Sequence, residues 1–375
     1  MEGAGNRTIK YVRTGFAGSI LGLLLMGIIY RYMCCASPLE VEFLRLILTL
    51  AISGGMFAFV RYSVGKMYVE EKNSIPTILI IGGAACLIVD GRIHNAFLVL
   101  LSTALSQPLY HARNQAVRGI FESLEPVVLI TILCQAVGLQ SNIFLFIWLP
   151  TTITTICACL SEWYSPHRGR DTAVCAAFLT LFAAIAMAIA YRRGTFDIEI
   201  NGLLRCLYPE QDPLRSGFPL LTARETMRTS VTLGVNNSIS SEAWSFFEQD
   251  NMGMWQVAGM VAKWGYISGF LVAIMLALIT FLGIYLCRVK PIWNRWPSVV
   301  ALAALTSQSV FYLLQNIGWT VLYSEAVPFF CGSVSWNATF LFLAGLIFAD
   351  AKKNIPPLKV LYTADNNSNR RRRAA

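Results

Sequence analysis

The sequence predicts an all-α polytopic membrane protein, with about ten transmembrane helices and one large extracytoplasmic loop between the seventh and eighth. Three observations lead there. Apolar residues make up 55% of the 375-residue chain and charged residues only 14%, well below the roughly 25% charged residues of ordinary globular domains. The apolar residues gather in charge-free blocks such as Thr172–Tyr191 and Ser268–Cys287, close to the ~20 residues needed to cross a hydrocarbon core of about 30 Å. Lys and Arg then crowd every second connection between blocks.

The blocks fall near residues 15–33, 41–60, 75–90, 93–110, 122–138, 141–160, 172–191, 255–287, 297–323 and 329–349. Arg7, Lys10 and Arg13 precede the first block. No small-residue cleavage site follows, and Arg31-Tyr32 marks a span end, so this is read as an uncleaved first helix. Cytoplasmic loops are enriched in Lys and Arg. With the N-terminus inside, Arg61, Lys66, Lys72, Arg113, Arg118, Arg168 and Arg170 are cytoplasmic, as are Arg288, Lys290, Arg295, Lys352, Lys353, Lys359 and Arg370–Arg373. Together with the three N-terminal cations these are 20 of the 30 basic residues, and the short outer loops keep only Arg31 and Arg92. The pattern predicts an even number of spans and two cytoplasmic termini. The net charge of +9 is then topological, and no nucleic-acid partner is called for. Residues 1–350 read as one membrane domain and 351–375 as a basic cytoplasmic tail. The Arg370–Arg373 run is either solvated or in contact with anionic membrane lipid.

The connection at residues 192–254 breaks the pattern. It mixes Arg192, Arg193, Arg205, Arg215, Arg224 and Arg228 with carboxylates that include Glu210, Asp212, Glu225, Glu248 and Asp250. Long segments translocate largely regardless of charge, and a loop of this length is uncommon unless it has a function. A reaction or recognition site is expected there first.

Charged and amide residues inside spans are costly in lipid and face protein or a wet cavity. Glu42 and Arg45, three residues apart, share a helical face and predict an internal ion pair. Gln308, Gln315 and Asn316 predict interhelical hydrogen bonds. Lys263 either snorkels to the outer interface or lines a substrate cavity. Asp90 and Arg92 pair at a tight outer hairpin. Gly265 and Gly269 read as a small-xxx-small packing pair, and Pro328 as a break before the last span. Trp293 and Trp296 belong to an interfacial belt. Most of the ten cysteines act as small hydrophobes. Cys206 and Cys331 fall on the same outer side, which a disulfide would require. No CxxC or His/Cys cluster predicts a metal site.

Three stretches, in order, resemble the SEDS family, the RodA-, FtsW- and SpoVE-like proteins of bacterial cell-wall synthesis. The first is Arg205-Cys-Leu-Tyr-Pro209-Glu-Gln-Asp212-Pro213-Leu-Arg215-Ser-Gly217-Phe218, similar to the family's Arg, Pro, Asp-Pro and Gly-Tyr spacing at the start of its outer loop. Gly234 follows where the family carries a glycine-rich segment. The second is Val261-Ala-Lys263-Trp-Gly265-Tyr-Ile-Ser-Gly269, where the family has Glu-Glu-x-Gly-Phe-x-Gly. The third runs from Gln308 through Gly318, Pro328-Phe329 and Cys331 to Gly345, similar to the ninth and tenth spans with their Pro-Phe-x-Ser-x-Gly-Gly signature. The resemblance covers roughly residues 192–350.

It implies a peptidoglycan glycosyltransferase acting on lipid II, an undecaprenyl-pyrophosphate-linked disaccharide, in the bacterial cytoplasmic membrane. It implies a single-span transpeptidase partner, a class B penicillin-binding protein. No cofactor is required by the sequence, although a divalent cation is compatible with the resemblance. The chemistry needs a base for the acceptor hydroxyl and cations for the departing pyrophosphate. The family's aspartate before the eighth span aligns near Gly253 or Met254, so Asp250, about one turn earlier, is the expected catalytic residue. Arg205, Asp212, Arg215, Lys263 and Gln308 are the expected substrate-binding residues, and Arg224 and Arg228 are further phosphate candidates. Pro209, Pro213, Gly217, Gly234, Gly265, Gly318, Pro328 and Phe329 are expected to shape the motifs. Ala262 and Lys263 replace the Glu-Glu pair. Two other readings stay open: a non-catalytic scaffold in a wall-synthesis or sporulation complex, and another lipid-linked-sugar polymerase, ligase or flippase.

Overall fold

A computed structural model describes residues 2–35, 37–70, 117, 119–121, 124, 148–193, 208–211, 213, 217–249, 254–290, 292–319, 324 and 326–348. Among these residues the chain is all-helical. Ten helices follow in order: α1 (Glu2–Cys34), α2 (Leu39–Glu70), α3 (Leu149–Leu160), α4 (Arg168–Arg193), α5 (Phe218–Thr229), α6 (Ser241–Gln249), α7 (Gln256–Trp264), α8 (Tyr266–Val289), α9 (Ile292–Asn316) and α10 (Val334–Phe348). A 3₁₀ turn at Pro209–Gln211 precedes α5.

Three of the described helices are long and apolar enough to cross a membrane, over Thr8–Cys34, Tyr266–Val289 and Ser298–Asn316, and α3 and α10 are shorter apolar helices. The protein is a helical membrane protein. The spans expected at 75–90 and 93–110, and nearly all of that at 122–138, lie outside the described residues, as do Asp90 and Arg92.

Burial has the inverted logic of a membrane fold. On α8, Val272, Leu276, Ile279 and Gly283 are buried, while Phe270, Leu278 and Phe281 are exposed, Phe281 by 70%. Those residues suit a hydrocarbon solvent, where an exposed apolar face costs nothing. Helix α1 packs along α8, α2 along α10, and α9 is wedged among α3, α8 and α10. The main core joins Phe16, Leu23 and Tyr30 of α1 to Phe329, Phe330, Phe340 and Leu343 near the C-terminal end. A smaller cluster holds α3 to α4 around Cys159, Trp163, Tyr164 and Cys175.

Glu42 forms its expected ion pair with Arg45 (2.7 Å) and a second with Arg31 (2.8 Å). Arg31 also donates to the Phe330 carbonyl at 2.7 Å, and Ser37 donates at 2.9 Å to Glu42 Oε1, the oxygen that also accepts from Arg45. The charges thereby clamp the α1–α2 turn to the connection before α10. At the far end of the bundle, Lys290 donates to Ser298 Oγ at 2.8 Å and to the Leu346 carbonyl. Burial pushes its ammonium down to about 8, since desolvation disfavours the charged form.

One expectation is corrected. Residues 255–287 form two helices, because Gly265 has φ +85° and ends α7. A Cβ there would lie 2.6 Å from the Thr232 carbonyl oxygen, so this glycine marks a helix break. Gly269 does pack closely, with its Cβ direction meeting Val261 Cγ2 at 2.6 Å. Cys331 is buried and its thiol donates to Asn337 Oδ1 at 3.3 Å, while Cys206 lies outside the described residues.

Candidate functional site

The segment that precedes α7 folds onto the break between α7 and α8. A helix end leaves orphan amides or carbonyls, and within a membrane such groups must find protein partners. Here one stretch, residues 231–236, serves both ends. Asn236 N donates to the Ala262 carbonyl at 2.8 Å and Gly234 N to Trp264 at 3.2 Å, while Tyr266 N donates to Val231 at 3.0 Å and Ile267 N to Thr232 at 3.3 Å. Gly234 reaches this position with φ +108°, a region that favours glycine. Asn236 is itself held by Thr229 Oγ1 and Ser230 Oγ, at 2.9 and 3.2 Å.

The start of α7 is fastened to α9 by buried amides. Asn316 Oδ1 accepts from Ala258 N at 2.9 Å, and its Nδ2 donates to the Met254 carbonyl at 3.1 Å. Gln315 Nε2 donates to the same carbonyl at 3.2 Å, and its Oε1 accepts from Ser324 N at 2.8 Å. Ser324 Oγ donates to Gln308 Oε1 at 2.9 Å. Two donors and one acceptor remain over: Gln308 Nε2, Gln256 Nε2 and Gln256 Oε1 are buried without a hydrogen-bond partner. Such groups call for water or a ligand, because leaving them dry costs about 1–3 kcal/mol each.

Gln308 therefore sits in the network expected of a span amide. Lys263 reaches across to α1 and donates to the Met33 carbonyl at 2.8 Å, on an exposed part of the surface. Arg224 pairs with Glu210 at 2.8 Å and donates to the Gly318 carbonyl at 3.2 Å through Nη2. This ties α5 and the 3₁₀ turn to the end of α9. Gly318, at φ +75°, leaves no room for a Cβ, which would meet Arg224 Cβ at 2.7 Å. Arg228 is exposed one turn further along α5. Pro209 is buried in its 3₁₀ turn, Pro213 is exposed, and Gly217 sits in the α5 cap ahead of Pro219. Pro328 and Phe329 form the turn before α10, with Phe329 at φ +66°.

Arg205, Asp212, Arg215 and Asp250 lie outside the described residues. Among the described residues no three His, Cys, Asp or Glu side chains gather to hold a metal. Sequence reasoning missed Gln256 and Ser324. A glutamine opening an apolar helix was the available signal for Gln256; Ser324 had none.

No protein-family model matches this chain, and no curated protein matches its sequence. A solved structure does match in fold. It is a chain described under "Structural coordination of polymerization and crosslinking by a peptidoglycan synthase complex". The TM-score is 0.64, over 89% of this chain and 96% of that one, at 14% sequence identity. The likeness is one of fold, over nearly the whole of both chains.

Proposed function

We propose that the protein acts in bacterial cell-wall synthesis as a glycosyltransferase that polymerises lipid II. The observation that carries this reading is the shared fold with a chain of a peptidoglycan synthase complex. The outer-loop motif, Arg205 through Phe218, supports it. In this reading the chain crosses the cytoplasmic membrane about ten times with both termini inside, and the loop 192–254 faces outward. Asp250 takes the proton of an acceptor hydroxyl, whose oxygen attacks the anomeric carbon of a second lipid-linked sugar. The bond from that carbon to the pyrophosphate breaks, and Arg205 and Arg215 receive the leaving charge, with Asp212 holding them in place. A single-span penicillin-binding protein crosslinks the product.

The test is glycan formation from lipid II by the full-length protein in nanodiscs, alone and with its transpeptidase. Wild type is expected to form polymer, and Asp250→Asn to lower the rate by about 10²–10⁴-fold, the usual weight of a general base. An unchanged rate removes Asp250 from the mechanism. A second reading, a non-catalytic scaffold, is favoured by one observation. The family aspartate aligns near Met254, whose carbonyl is pinned by Gln315 and Asn316 and whose side chain carries no proton. Absence of polymer even with the transpeptidase present would establish that reading.

A further inference from the structure

The break between α7 and α8 brings irregular backbone level with two membrane-length helices. Leu233 shares an apolar groove with Met26 and Ile29 of α1 and with Ile267 and Leu271 of α8. Both helices are long and apolar enough to cross a membrane, α1 as far as Cys34 and α8 from Tyr266. Ile29 lies about 7 Å of helical rise short of the α1 end, and Met26 lies a turn deeper. Leu271 is a similar distance inside α8. Leu233 therefore sits on the hydrocarbon side of Tyr32 and Tyr266. Both tyrosines are exposed, and tyrosine is a residue type that gathers at the membrane–water interface.

The stretch is built for that depth. Non-helical backbone is tolerated within a membrane only where its polar groups find partners in the protein. The carbonyls of Val231 and Thr232 accept from Tyr266 N and Ile267 N, and the amides of Gly234 and Asn236 donate to the Trp264 and Ala262 carbonyls. The side chains between are aliphatic and alternate along the chain: Val231, Leu233 and Val235 are 46%, 69% and 52% exposed. Three such neighbours form a patch and not a scatter of single apolar residues. Their surface continues into α8, where Ile267, Phe270 and Leu271 are exposed as well, on the face suited to hydrocarbon. Protein docking sites concentrate aromatic and arginine anchors. These three side chains offer neither, and they fit acyl chains.

We infer that residues 231–235 are inserted in the bilayer as an apolar rib, solvated by phospholipid acyl chains of the leaflet at this end of α1 and α8. The stretch holds the α7–α8 break through its backbone and the leaflet through its side chains. The long connection before α7 is thereby tied to the membrane at one fixed depth. The inference calls on no substrate and is independent of the reaction proposed above.

The experiment places a diazirine-bearing aliphatic amino acid at position 233 of the full-length protein, in phosphatidylcholine nanodiscs and in native membranes. The carbene released by light inserts into whatever touches it, and mass spectrometry of the peptide identifies the adduct. Phospholipid adducts should exceed water adducts about tenfold or more, the partition preference of one leucine-sized side chain. The same probe at position 281, where Phe281 is exposed on α8, should capture lipid. At position 225, where Glu225 is exposed on α5, it should capture water. Mostly water at position 233 overturns the insertion. A crosslink from there to a second copy or to another protein also overturns it, and makes the rib a protein interface. A measurement on unaltered protein guards against distortion by the probe. Hydroxyl radicals generated in the aqueous phase should oxidise Val231, Leu233 and Val235 in nanodiscs about tenfold less than their exposure would allow in water. Oxidation at the full rate set by that exposure overturns the inference, whatever the probe reports.

Discussion

Two buried polar clusters hold one end of this bundle, and they are built on opposite terms. The charged clamp of Arg31, Glu42 and Arg45 leaves little over: both Glu42 oxygens are taken, and Arg31 spans from Glu42 to the Phe330 carbonyl. The amide cluster of Gln308, Gln315, Asn316 and Ser324 is neutral and incomplete, with Gln308 Nε2 and both amide atoms of Gln256 unpartnered. A closed network fixes geometry. An open one at the start of α7 retains capacity for water or a ligand. The first joins α1 and α2 to the α10 connection; the second positions the helix that residues 231–236 cap. The contrast separates scaffold from site.

The largest effect should come from opening the clamp. Glu42→Ala leaves the Arg31 guanidinium buried, at 4% exposure, without its carboxylate. Removing one partner of a buried pair costs about 3–5 kcal/mol, readable as a lower unfolding midpoint on titration from mild detergent into SDS. Replacing both Arg31 and Glu42 by Leu should recover most of that loss, because the desolvation penalty disappears with the charges. If the double variant is no better than Glu42→Ala, the hydrogen bond to Phe330 outweighs the pair, and the clamp acts mainly as a backbone cap.

How much of this was legible in the sequence follows from the range of each interaction. Glu42–Arg45 is an i, i+3 pair on one helix, so spacing alone predicts it. The Arg31 contact to Phe330 joins residues 299 apart in the chain and leaves no local trace; Arg31 read simply as a span end. Gln315 and Asn316 stood out as amides in an apolar helix, and their role as interhelical donors was predictable. That their shared acceptor is the Met254 carbonyl was not. The break at Gly265 was misread for a physical reason. A glycine in an apolar run suits both close packing and a left-handed cap, and only the distant 231–236 segment, by supplying partners for both helix ends, selects the cap. The motif residues Arg205, Asp212, Arg215 and Asp250 were readable by resemblance and lie outside the described residues.

Next in size is the neutral cluster's keystone. Asn316→Ala removes acceptance from Ala258 N and donation to Met254 and Tyr312, leaving the Ala258 amide unpaired and the Met254 carbonyl to Gln315 alone. A loss of about 1–3 kcal/mol is expected, smaller than for Glu42→Ala, by the same detergent titration. Asn316→Asp should behave differently. It restores acceptance from Ala258 N but an ionised carboxylate donates to neither Met254 nor Tyr312, so it separates the acceptor role from the two donations. Should Asn316→Ala match Glu42→Ala in cost, the neutral cluster carries as much of the scaffold as the charged one, and the division drawn between them fails.

The smallest change in stability, and the sharpest test of that division, is Gln256→Leu. Gln256 is fully buried on α7 with neither amide atom satisfied. An apolar replacement of similar size removes an unsatisfied group, so stability should hold or rise by about 1 kcal/mol. If the open amide serves only folding, nothing else changes. If it faces the reacting lipid or the water around it, glycan formation falls while the protein melts no lower. A fall in activity with unchanged or raised stability cannot come from a scaffold residue, since a scaffold lesion lowers both. Loss of stability without loss of specific activity would reverse the assignment and move Gln256 beside Asn316 among the residues that merely hold α7 in place.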